Sequence, residues 1–215
     1  SGIYSEILES GPTLDEQACA ALVEMMKKLA AESSVVTLSG SLPAGAPVDL
    51  YNRLIEEVHA QGALALLDTS GAALASGIEQ KPFMIKPNED ELKALLKLQG
   101  EAADPIHFIQ ETMQQKKLPC VAVTLGENGA LVGYEGVVYQ IAPVKIEAIN
   151  PVGSGDSFVA GMAAGLHRGL GIIESLKLAT ACGASNAMHQ AAGVIDPKQV
   201  EQFVKEIEVK EVVTD

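Results

Sequence analysis

The residues best suited to chemistry stand together at Asn150-Pro151-Val152-Gly153-Ser154-Gly155-Asp156-Ser157-Phe158, and small residues continue through Gly165. Gly153, Ser154 and Gly155 can turn backbone N–H groups inward at a helix N-terminus, and glycine admits an anion that a Cβ would keep away. Asp156 then falls in the first helical turn. A carboxylate there is poorly placed to bind phosphate but well placed to take a proton from a hydroxyl that attacks one. The same letters also describe an ordinary capped helix start, with Asp156 merely favoured by the helix dipole. From this segment alone both readings stand.

Other polar residues recur where apolar runs stop. Val35–Leu38 is followed by Ser39-Gly40-Ser41, the run Ala63–Asp68 ends on Asp68, Phe83–Lys86 leads to Pro87-Asn88, and Cys120–Leu125 leads to the turn at Gly126. Short apolar runs of this kind read as buried strands. An earlier strand is expected over residues 3–8, with Gly11-Pro12 as its exit. Helical spacing or capping signals predict helices near 13–31, 48–61, 71–76, 88–98, 105–117, 155–168, 172–189 and 197–207. Ala130–Tyr134 and Val137–Ile141 form a short strand pair after the Gly126-Glu127-Asn128-Gly129 turn. Apolar strands alternating with helices indicate βαβ units, and so an α/β fold: a three-layer αβα sandwich around a mainly parallel sheet. Ligands of such sheets bind beyond the carboxyl ends of the strands, where these polar residues should converge on one rim.

Composition narrows the partners. The 215 residues suit one domain, and 15 basic against 28 acidic residues leave a net charge of −13. That field repels nucleic acid and anionic membranes but leaves room for a small phosphorylated ligand held locally. A mean hydropathy of +0.19 excludes a disordered chain. With no Trp and 4% aromatics, the core must be built from small aliphatic side chains packed closely. Cys19, Cys120 and Cys182 are far apart and read as buried reduced thiols. His59, His107, His167 and His189 share no metal-ligand spacing, Met25-Met26 reads as core, and the charges at 116–117 and 205–211 read as solvated faces. No apolar run reaches the ~18 residues of a membrane span, and the opening residues do not resemble a signal peptide, so the expected compartment is the cytoplasm.

The 150–158 segment resembles the second signature of the ribokinase/PfkB carbohydrate kinases. That signature usually carries Asp-Thr before Gly-Ala-Gly-Asp. The Asn-Pro-Val-Gly-Ser-Gly-Asp found here looks like the variant of the branch holding the tagatose-6-phosphate kinases and 1-phosphofructokinases. Ser39–Pro43, Lys86–Leu92 and Thr124–Ala130 follow the family's motifs in order and approximate spacing. The resemblance implies a ribokinase-like fold that transfers phosphate from ATP to a hydroxyl of a ketohexose phosphate. Asp156 would be the base, and the amides of Gly153, Ser154 and Gly155 would form the anion hole. It further implies that Asn88 and Glu91 hold Mg²⁺, largely through water, and that Lys86, Thr124, Gly126 and Gly129 contact the nucleotide. Ser39, Gly40 and Ser41 would bind the phosphate already on the sugar, and Gly183 and Asn186 would wall the adenine. Some members carry a monovalent cation beside the anion hole, a point the sequence leaves open.

The resemblance covers only about the last two-thirds of the family's chain. The N-terminal strands, the early Gly-Gly motif and the β lid, through which the full-length enzyme would form a homodimer, are not found before Ser1. The residues 4–12 look slightly more like the tagatose enzymes, so tagatose 6-phosphate is the first substrate expectation and fructose 1-phosphate the second. A nucleotide-binding domain without activity on its own is the alternative of another class. A dinucleotide oxidoreductase is set aside because no GxGxxG follows the first strand.

Overall fold

The computed structural model describes residues 11–99 and 104–213. The strand expected over residues 3–8 lies outside them. In chain order the elements are α1 (Glu16–Ala30), β1 (Val35–Ser39), α2 (Leu50–Ala60), β2 (Leu64–Asp68), α3 (Gly71–Ile78), β3 (Met84–Ile85), α4 (Glu89–Gln99) and α5 (Pro105–Lys116). Then come β4 (Cys120–Thr124), a 3-10 turn at Gly126–Asn128, β5 (Ala130–Tyr134), β6 (Val137–Ile141), α6 (Ser154–His167), α7 (Ile172–Ala187), α8 (Pro197–Glu206) and β7 (Val209–Glu211).

The sheet order is the chain order, β1 to β7. Strands β1 to β4 pair parallel, and β4 to β7 pair antiparallel. Side chains alternate faces along a strand, and here both faces are covered. On β2, Ala65 and Leu67 join a core with α1 to α5, while Leu66 joins the opposite core with α6 to α8. On β4, Val121 and Val123 divide from Cys120 and Ala122 in the same way. This is the three-layer α/β sandwich that the apolar strands imply.

Small residues set the spacing on the α6 face. A Cβ on Gly161 would lie 2.8 Å from the Cα of Ala179, and one on Gly165 would lie 2.9 Å from the Cα of Ser175. Glycine at both positions therefore lets α6 and α7 approach backbone to backbone. Three helices cap themselves: Asp15 accepts from Ala18 N, Asp104 from Ile106 N, and Asp196 from Lys198 N, at 2.8, 2.9 and 2.8 Å. Pro105 and Pro197 follow two of these caps at positions where a missing N–H costs nothing.

Three expectations need correction. The charged run at 205–211 is not only a solvated face, because Val209–Glu211 adds a seventh strand beside β6. Its charges alternate with Val209, which packs on the core. Met26 packs against the core, but Met25 is 57% exposed, one helical step round from the buried stripe. The strand at 83–86 pairs over only Met84 and Ile85. No helix among the described residues is long and apolar enough to cross a membrane.

Candidate active site

The carboxyl ends of β1 to β4 form the rim. Ser39 lies opposite Asp68 in the β1–β2 register, and Gly40 N donates to Asp68 O at 2.9 Å. One strand further, Lys86 follows β3. Its ammonium bonds the Asp68 carboxylate at 3.0 Å, with the two side chains 4% and 12% exposed. Asn88 bridges in parallel to Thr124, whose N–H donates to Pro87 O at 3.1 Å. Thus Ser39, Asp68, Lys86, Asn88 and Thr124 stand side by side because the parallel register puts them there.

The start of α6 closes over this rim. Lys86 Nζ lies 3.4 Å from where a Cβ on Gly155 would stand, so the ammonium sits directly beneath the glycine-rich turn. Gly153 takes φ 82°, a left-handed conformation that glycine enters without strain, and no side chain caps the helix. Ser154 N is already spent on Pro151 O at 3.1 Å. This corrects its place in the expected anion hole. Its neighbours Gly153 and Gly155, and Asp156, have N–H groups with no acceptor among the described residues. Free donors at a helix start, with a lysine below, make an anion-accepting concavity. The Asp156 carboxylate is exposed beside it.

Charge in the rim is not balanced. Burial pushes the Asp68 carboxyl above its usual range; Lys86 opposes the shift, and the negative charges of Glu91 and Asp156 add to it. Asp68 therefore feels both Glu91 and Asp156 across the site, with Lys86 as its bonded cation. A divalent cation would offset this excess, and the all-oxygen donor set suits Mg²⁺. No group of three or more His, Cys, Asp or Glu among the described residues has the geometry to hold a metal directly. Such an ion would be bound through water and ligand oxygens. Asn88 and Glu91 also cap α4 reciprocally: Asn88 N donates to Glu91 Oε2 and Glu91 N donates to Asn88 Oδ1, both at 2.8 Å. Asn-x-x-Glu ahead of an apolar helix has the spacing of a capping box, a signal available in the sequence.

Several of the expected ligand residues also have roles within the fold. The Gly40 carbonyl accepts the Tyr51 hydroxyl at 2.8 Å and its N–H is in the ladder, so neither polar group is left for a phosphate; Ser39 and Ser41 remain exposed beside it. Gly129 is held where a Cβ would collide with the Ile141 carbonyl. Gly183 packs against the Ser154 carbonyl, 3.0 Å from its own missing Cβ. Asn186 is fully buried with its amide committed inside the chain, which removes it from an adenine wall. Gly126 stays exposed at the rim with φ 56°. Asp68 was expected on the rim but given no role, and it proves to be the partner of Lys86. Its only signal is its position at the end of an apolar strand. Beside Asp156 a largely apolar groove of about 940 Å³ opens between α6 and α8, floored by Leu178 and Cys182 of α7.

A doubly covered α/β sheet whose parallel strand ends meet a glycine-rich helix start and a buried lysine defines a protein built to receive an anionic ligand. The model for pfkB family carbohydrate kinases matches residues 7–199, and the chain belongs to that family. It is 37% identical over 216 residues to tagatose-6-phosphate kinase of Staphylococcus epidermidis, covering 98% of this chain and 69% of the relative. Phosphofructokinase-2 from Escherichia coli in complex with potassium superposes with a TM-score of 0.83 at 27% identity, over 93% of this chain and 65% of that one. A phosphofructokinase-like structure from Staphylococcus aureus gives 0.82 at 26% identity, over 100% of this chain and 69% of that one. The chain thus spans about two-thirds of the length of its relatives.

Proposed function

We propose that the chain is the nucleotide-binding and catalytic core of a phosphosugar kinase, transferring the terminal phosphoryl of ATP to the C1 hydroxyl of tagatose 6-phosphate. The observation that carries this reading is the placement of Lys86 beneath Gly155 with Asp156 exposed at the same helix start. The tagatose-6-phosphate kinase relative supports the choice of sugar.

The chemistry follows from the groups on the rim. The sugar hydroxyl attacks the terminal phosphorus in line, the O–P bond to the nucleotide breaks, and the bridging oxygen leaves with the electron pair. Asp156 accepts the hydroxyl proton as the attack proceeds. The N–H groups of Gly155 and Asp156, with Lys86, hold the phosphoryl oxygens and are fixed before charge develops there, so they stabilise the transition state without reorganising. Mg²⁺ near Asn88 and Glu91 would supply further charge neutralisation on the phosphates. Ser39 and Ser41, exposed at the end of β1, are placed to meet the phosphate already on the sugar. Thr124 and Gly126 would contact the nucleotide.

Titration of MgATP into the chain, followed by a coupled assay on tagatose 6-phosphate and fructose 1-phosphate, tests the reading. Saturable MgATP binding and faster turnover of tagatose 6-phosphate are expected. Preference for fructose 1-phosphate would reassign the sugar. Binding without turnover would make this chain a nucleotide-binding core that needs the rest of the family's length, and absence of binding would overturn the kinase assignment.

A further inference from the structure

Helix α6 starts without a side-chain cap, on a glycine N-cap with φ 82°, although Ser154 N donates to Pro151 O at 3.1 Å and Val152 N to Asn150 Oδ1 at 3.0 Å. A local cap would consume the N–H groups that an anion needs. The turn is also held from outside, by the next helix. Asn186, fully buried on α7, donates from Nδ2 to Val152 O at 2.9 Å and to Ser154 Oγ at 3.1 Å, while its Oδ1 accepts from Gly193 N at 2.7 Å.

We propose that Asn186 is a positioning residue: its carboxamide straps the loop entering α6 to the loop leaving α7, and so aims the free amides of the anion hole. Only a carboxamide of this length has two donors on one side and an acceptor on the other. Carboxylate in its place has no proton for Val152 O and brings a charge into a site without solvent. Gly183, one turn earlier, lets α7 come close enough for the strap to reach, since a Cβ there would press on Ser154 O at 3.0 Å. Asn150 repeats the arrangement at the surface, donating from Nδ2 to Gln190 O at 2.8 Å and accepting Val152 N at 3.0 Å. Water competes for that outer strap, so the buried one governs. Val194 and Ile195, exposed just beyond Gly193, belong to the loop that the strap holds.

The proposal deepens the kinase reading and rests on it for what the loop binds. Hydrogen exchange on the chain tests the strap itself, with Asn186→Asp as the main variant and Ser154→Ala, which loses only one of the three bonds, as the milder one. Loss of a hydrogen bond worth a factor of about ten should speed exchange roughly tenfold in peptides covering 149–157 and 189–195 together, and leave 120–134 unchanged. Unchanged exchange in either loop, or a uniform rise across the chain, would overturn the proposal. In parallel, MgATP affinity should fall by about tenfold in Asn186→Asp and adenosine affinity by less than about twofold, since only the phosphate end is misaimed. Equal losses would mean that Asn186 is merely structural. A wild-type chain that binds neither ligand sinks the kinase assignment and leaves the exchange comparison to decide on the strap.

Discussion

Five helix starts of this protein form a contrast; α2, α3 and α7 have no side-chain cap and stand outside it. At α1, α5 and α8 an aspartate spends its carboxylate on the first backbone N–H groups, and at α4 Asn88 and Glu91 do so reciprocally. At α6 the donors of Gly155 and Asp156 are left open, and the turn is braced instead by the buried Asn186 of the next helix. A satisfied helix start stabilises only itself. An unsatisfied one costs stability, and it persists where a rigid surround and a ligand offset that cost. The difference separates places where a carboxylate is a cap from the place where Asp156 is free to move a proton.

The sharpest way to break this comparison is to change the carboxylates at the two kinds of start. In the intact enzyme, Asp156→Asn should lower kcat by about 10² to 10⁴, the range lost with a general base, with KM for MgATP little altered. Steady-state kinetics decide it. Near-normal turnover would return Asp156 to the class of ordinary first-turn acids.

The rim below α6 gives the next largest effect. Asp68→Ala leaves Lys86, 4% exposed, as an uncompensated charge. Breaking such a pair from one side costs about 3–5 kcal/mol, whereas replacing both partners with apolar residues of similar volume is close to neutral. Urea unfolding of Asp68→Ala and of the double variant Asp68→Leu/Lys86→Met should show that contrast. A loss below about 1 kcal/mol for the single variant would show that water reaches the pair.

Much of this organisation was legible in the chain. Apolar strands closing on Ser39, Asp68, Lys86 and Thr124 placed the rim, because a parallel register brings strand ends together whatever the loops do. The Gly153–Asp156 turn was legible for the same reason: glycine types report backbone approach directly. What did not show was any relation carried by a partner distant in sequence. Nothing in Asn186 tells that its amide will meet Val152 and Ser154, 34 and 32 residues earlier. Lys86 read alone is a solvent-facing strand end until Asp68 closes over it. The seventh strand hid in a charged run because it is three residues long, with only Val209 packed on the core.

A smaller effect belongs to the self-capped starts. Asp104→Ala removes the acceptor for Ile106 N and His107 N on α5, and loss of a cap costs about 1 kcal/mol. The free energy of urea unfolding should fall by that amount while MgATP affinity is unchanged, since α5 lies on the face opposite α6. A loss of affinity as large as that of an α6 variant would erase the distinction between the two kinds of start.

The smallest effect is a dependence on pH, and its sign discriminates. Burial, with the charges of Glu91 and Asp156, pushes the Asp68 carboxyl up, and Lys86 offsets this only in part. The folded state therefore holds the Asp68 proton more tightly than the unfolded chain does. Stability from that proton is fully present below the ordinary carboxylate range and is lost as pH rises through the raised folded value. Unfolding free energies of wild type and Asp68→Asn, compared between about pH 4 and 7, isolate this term because the other acids titrate in both. The wild-type advantage should shrink as pH rises. An advantage that grows with pH would mean that Lys86 outweighs burial and that the rim is already balanced. In that case a divalent cation would have no excess charge to neutralise, and the open start of α6 would rest on a site as satisfied as the starts capped by Asp15, Asp104 and Asp196.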